Sequence, residues 1–113
     1  MAKDRPAGEL VIPPAAIADE RSVEMLRVWI AKQGLHCSIN IGQWQQLQGV
    51  EEDLAWGKVL ADVIQHIANA LHENQGIEPQ ETIRCLFRAL EQELAEPTTK
   101  HRGRFPRRQG PRD

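Results

Sequence analysis

The sequence predicts an α+β fold in which an antiparallel β-hairpin packs against two α-helices, and three observations carry that prediction. Apolar residues alternate on either side of Gly34, they recur at helical spacing from Glu51 to about Asn74, and a second helical stripe runs from Pro79 to Pro97. A chain of 113 residues suits one domain around one core. That domain is expected over residues 10–97, between disordered ends at residues 1–9 and 98–113.

The hairpin comes first. Leu26, Val28 and Ile30 share one face of an extended run and Arg27 and Trp29 the other; after Gly34, Leu35, Cys37, Ile39 and Ile41 lie opposite His36, Ser38 and Asn40. With Gln33-Gly34 as a two-residue turn, Ile30 pairs with Cys37, Val28 with Ile39 and Leu26 with Ile41, while Ala31 meets His36, Trp29 meets Ser38 and Arg27 meets Asn40. A longer loop keeps the same faces, because only a one-residue slip exchanges them. A helix from Asp19 to Lys32 is the competing reading, and the β-branched and aromatic run Val28-Trp29-Ile30 favours the strand. Upstream, Glu9-Leu-Val-Ile can add a short edge strand stopped by Pro13 and Pro14.

The first long helix is the firmest element. Trp56, Val59, Leu60, Val63, Ile64, Ile67, Ala68, Ala70 and Leu71 fill one arc, and Lys58, Asp62, Gln65, His66, Asn69 and His72 the other. Acidic Glu51, Glu52 and Asp53 suit its N-terminal dipole. After a turn at Asn74-Gln75-Gly76, Pro79 is placed to open a second helix striped by Ile83, Leu86, Phe87, Leu90 and Leu94, which Pro97 ends. The apolar arc of the first helix is roughly 200° wide, about twice what one core-facing side needs. A two-stranded sheet is also marginal alone. Both point to self-association, most simply a homodimer joined through strand edges or through the first helix.

Charge divides the chain. Residues 97–113 carry six basic residues against Asp113, a net +5, which leaves −7 on the rest. The tail is read as disordered, since it holds three prolines, two glycines and one large apolar residue. Arg102, Arg104, Arg107 and Arg108 make it a candidate for salt-sensitive nucleic-acid binding, against the plainer reading of a solvated extension. No apolar run approaches the roughly 20 residues that span a bilayer, and Met1-Ala-Lys-Asp-Arg-Pro has no secretory pattern, so a cytoplasmic protein without membrane contact is expected.

The blocks Leu26-Arg-Val-Trp-Ile, Gly34-Leu-His-Cys-Ser-Ile, Gly42-Gln-Trp and Ala55-Trp-Gly-Lys-Val-Leu-Ala-Asp-Val-Ile-Gln-His-Ile-Ala-Asn-Ala resemble a family of small bacterial proteins catalogued only as a domain of unknown function. The likeness runs from about Leu10 to Pro97. It implies a small bacterial cytosolic protein and supplies no activity, cofactor or site residue.

Two groups of side chains are candidates for chemistry. Asp62, His66 and Asn69 sit together on the polar face of the first helix, where a carboxylate beside an imidazole can orient a general base or hold a metal if His36 completes the group. Read plainly, they are a solvated helix face. Trp29, with Arg27 and His36 beside it, can offer a flat platform to a ligand or partner, or can be covered by a loop. Cys37 and Cys85 have no ligand spacing, and there is no Walker loop, GxGxxG, GxSxG or HExxH. Ser22 and Ser38 are the only serines, and neither has the context of a nucleophile. The expectation is a non-enzymatic interaction or regulatory domain without a cofactor; a small-ligand or metal protein using His36, Asp62 and His66 is the alternative.

Overall fold

The computed structural model describes residues 5–98 and the strand at 101–104. Its elements are α1 (Pro14–Ala18), β1 (Leu26–Ala31), β2 (Gly34–Ile39), α2 (Glu52–Gln75), α3 (Pro79–Ala95) and β3 (His101–Arg104). This is the α+β architecture expected, with the two long helices within a residue or two of their predicted ends.

β1 and β2 pair antiparallel, with Leu26 opposite Ile39, Val28 opposite Cys37, Trp29 opposite His36 and Ile30 opposite Leu35. The two faces are those predicted, but the register differs by two residues. Lys32 and Gln33 form the turn, at φ 49° and 63°. The sequence reading put Gly34 in the turn because positive φ favours glycine; here Gly34 opens β2 and two residues with Cβ atoms carry the left-handed conformation. That conformation costs roughly 1 kcal/mol or more at each such residue. The double replacement Lys32→Asn and Gln33→Gly is therefore expected to stabilise the protein by about 1–2 kcal/mol in urea unfolding. An unchanged midpoint would show that the turn carries no strain.

The third strand is not where an edge strand was expected. Residues 9–13 form none; Pro14 instead takes the first turn of α1, where its missing N–H costs nothing. The sheet runs β1-β2-β3, and β3 lies parallel to β2, setting Arg102 beside His36 and Arg104 beside Ser38 in register. These four residues fall within the segment expected to be disordered. The expectations for residues 1–4 and 105–113 lie outside the described residues.

Each long helix has a readable start or stop. Gly76, at φ 73°, caps α2 by donating its N–H to the His72 carbonyl. Glu78 caps α3, its carboxylate accepting the Glu81 N–H at 3.1 Å, and Pro79 follows at the first helical position. The helices pack antiparallel on each other, with Ala68 of α2 and Thr82 of α3 the buried residues at their seam.

Beyond α3 the Glu93 carboxylate accepts both the backbone N–H and the hydroxyl of Thr98, clamping the chain on its way to β3. Thr98, through its hydroxyl and then its amide, holds the Glu93 carboxyl below the ordinary value of 4.5. A lowered carboxyl contributes stability that is complete above the unfolded value and lost as pH falls through the folded one. Exchange of the Thr98 amide, corrected for its intrinsic rate, is expected to speed up as pH falls through the lowered Glu93 value in the native chain and to be pH-independent in Glu93→Gln. A flat native profile would refute the clamp.

Sheet and helices come together without close backbone approach. No Cα of the strands lies within 8 Å of a Cα of α2 or α3. Sheet and helices are joined instead through the 40–50 loop, where the Trp44 and Trp56 rings meet edge to face at 6.2 Å and Glu52 accepts the Gly42 N–H at 2.8 Å. Val28 and Ile30, on the apolar sheet face, remain 50% and 82% exposed.

Candidate functional site

A concavity lies where the chain before the hairpin folds back along β1. Ser22 donates its hydroxyl to the Ala16 carbonyl at 2.8 Å and Asp19 accepts the Arg21 N–H at 2.9 Å, so the chain reverses after α1 and returns to the sheet. Between Leu10–Ile17 and β1 this leaves a cleft of about 660 Å³. Leu10, Val11, Ile12, Ile17, Val23 and Trp29 supply its apolar wall. Its size and apolar lining are those of a small-molecule pocket.

Charge lines the same cleft. Arg27 meets Glu24 at 3.1 Å and Glu9 at 3.3 Å, and Glu9 also meets Arg5 at 2.7 Å. The hydrogen bond and charge of Glu24, then the charge of Glu9, hold the Arg27 guanidinium above its usual range. Arg27 is thus engaged by two carboxylates rather than offered to an anion. Trp29 is half-buried, and a Cβ at Gly8 would come to 4.0 Å from its ring.

The other predicted site residues do not converge. Asp62 and His66 meet at 3.4 Å on the exposed face of α2, and Asn69 is exposed on the same helix. His36 is half-buried on β2, its Nε2 3.2 Å from the Ala31 carbonyl oxygen. No Cα of β2 lies within 8 Å of α2, and no three His, Cys, Asp or Glu side chains among the described residues are grouped to hold a metal ion. Of the tail arginines, Arg102 and Arg104 lie in β3, whereas Arg107 and Arg108 lie outside the described residues. No described helix is long and apolar enough to cross a membrane.

Sequence reasoning missed the cleft residues before Val23. The signal available was Leu10-Val-Ile set before Pro13-Pro14, with Ile17 four residues on: an apolar segment that cannot continue as a central strand and needs a wall to lie against.

A second surface is apolar and open. Leu60, Val63 and Ile67 form one stripe of α2 and are 46%, 38% and 41% exposed, and Phe87, Leu90 and Leu94 form another on α3. Their spacing of three and four residues makes each a continuous ridge. Large contiguous apolar patches open to water are a common property of contact surfaces.

Among solved structures, one from the photosynthetic bacterium Rhodopseudomonas palustrus CGA009, provisionally described as a pyruvate dehydrogenase, matches with a TM-score of 0.59 and 22% identity. The match covers 84% of this chain and 91% of that one, and it shows a shared fold. No curated protein matches the sequence. The family model for a domain of unknown function (DUF5076) matches residues 9–98, from the cleft segment through the end of α3, and the chain belongs to that family.

Proposed function

We propose that this chain is a bacterial, cytoplasmic interaction or regulatory domain that acts without catalysis, as a homodimer. The observation that carries the reading is how little one copy buries. Among the described residues only Ala68 and Thr82 are buried. Apolar ridges on α2 and α3 remain in water on a chain whose own elements leave them uncovered, and a second copy is the simplest cover.

The mass of the full chain in solution, by light scattering across the micromolar range, tests this. A dimer mass is expected, and a monomer at every concentration would overturn the proposal.

The cleft favours a second reading, in which a small apolar ligand sits between Leu10–Ile17 and Trp29. An apolar fluorescent probe would then bind the native chain in a 1:1 ratio and be lost from Ile12→Asp. Equal binding by that variant would place the probe elsewhere.

A further inference from the structure

We infer that the cleft beside β1 is a slot for an uncharged peptide in extended conformation, which joins the sheet as an added strand along the open edge of β1. This rests on the ligand reading of the cleft and names the class of ligand. β1 is an outer strand of the sheet, and its register with β2 decides which of its peptide groups are already paired. Asn40 donates its N–H to the Met25 carbonyl at 3.0 Å, so these two residues form a hydrogen-bonded pair of the antiparallel ladder. Alternation then directs the peptide groups of Arg27, Trp29 and Ala31 to β2 and turns those of Leu26, Val28 and Ile30 outward. Among the described residues these outward groups have no hydrogen-bond partner.

The facing wall is unpaired backbone as well. Leu10, Val11 and Ile12 lie outside any helix or strand, and their peptide groups have no hydrogen-bond partner among the described residues. The cleft of about 660 Å³ lies between this segment and the Val28–Trp29 stretch of β1. Other contacts fasten the segment at both ends, Glu9 to Arg5 at 2.7 Å and to Arg27 at 3.3 Å, and Ala16 to the Ser22 hydroxyl at 2.8 Å. It stands beside β1 without pairing to it. An open edge is a template for a further strand, and an extended peptide supplies the alternating donors and acceptors that match it. The charges along the cleft select the peptide. Arg5 and Arg27 compensate Glu9 and Glu24, which leaves no excess of either sign, while Ile12, Ile17, Val23 and Trp29 present apolar surface. Apolar and β-branched side chains suit that wall, and a charged one would lose its water without gaining a partner.

The probe is a short peptide of alternating valine and threonine, acetylated and amidated at its ends, titrated into the full chain and followed by NMR of the backbone amides. Saturable 1:1 binding is expected, with exchange of the Leu26, Val28 and Ile30 amides slowed by about tenfold or more. The same peptide methylated on its backbone nitrogens keeps its side chains and loses its donors, and it is expected to bind at least about tenfold more weakly. Val28→Pro removes one outward N–H and leaves the β1–β2 ladder intact, so it is expected to weaken binding of the unmethylated peptide. Ile30→Pro repeats that substitution on the same edge if circular dichroism shows that Val28→Pro has lost its fold.

Equal binding of the two peptides overturns recognition through the main chain, as does binding that leaves exchange at Leu26, Val28 and Ile30 unchanged. Failure of the peptide to bind, while the apolar fluorescent probe still does, overturns the peptide and leaves the ligand reading of the cleft standing; failure of both overturns the two together. Slow exchange at residues 10–12 and along β1 before any peptide is added would show that this segment itself closes on the edge, and would overturn the inference in favour of that strand.

Discussion

Trp56→Ala is expected to cost about 3 kcal/mol, the low end for removing a core tryptophan, because the ring is half-buried. Its edge-to-face contact with Trp44, at 6.2 Å and 87°, is where the loop after the hairpin meets α2. Such a pair contributes about 0.5–1.5 kcal/mol beyond the area it covers. The measurement is urea unfolding of Trp56→Ala, Trp44→Ala and the double variant, whose non-additivity isolates the ring-to-ring contact. Strict additivity would show that the rings touch without supporting one another. Trp56→Phe separates packing from polarity. The Trp56 indole N–H is buried without a hydrogen-bond partner, so phenylalanine keeps a ring while relieving that group, and its cost is expected to be under about 1.5 kcal/mol.

Ala68→Asp is expected to be the more damaging, at about 3–5 kcal/mol near neutral pH, because it sets an unpaired carboxylate into the α2–α3 seam at a position only 1% exposed. Aspartate is too short to carry its charge out to water, as lysine does. Burial raises a carboxyl's value in the folded state, so the protein regains stability as pH falls through that raised value and loses it as pH rises. The difference in stability between Ala68→Asp and the native chain should therefore narrow from pH 7 to pH 4. A gap independent of pH would mean that crowding, rather than charge, is the cause. Thr82 offers the opposite experiment at the same seam. Its hydroxyl is buried without a partner, and Thr82→Val is expected to stabilise by about 1 kcal/mol.

How much of this could be read from the residues depends on how local the determinants are. α2 and α3 were legible because each carries its own period and its own punctuation, Gly76 at one end and Pro79 and Pro97 at the others. The hairpin faces were legible because parity survives a two-residue shift, while the register was not, since nothing local marks Lys32-Gln33 as left-handed. β3 was hidden. His101-Arg-Gly-Arg has no apolar alternation, and its pairing is with residues far back in the chain.

The same division governs the sites. Asp62 and His66 meet because four residues on a helix always meet. Whether His36 joins them depends on how sheet and helix pack, which is a tertiary matter, and the structure keeps them apart. The cleft likewise depends on where residues 10–17 come to rest, and Arg27 gains its partners Glu9 and Glu24 only once that segment has folded back.

The parallel strand also bears on how the chain folds. Leu35 pairs with His101, so β3 closes a loop that contains the whole helical hairpin. Every other principal contact, β1 with β2 and α2 with α3, joins neighbours in sequence and forms on microsecond timescales. Closing the long loop becomes entropically cheaper once α2 and α3 have folded back on each other and shortened the span between β2 and β3. Docking of β3 is therefore expected to be the slow, late step of folding, with the hairpin and helices formed before the last strand pairs with β2.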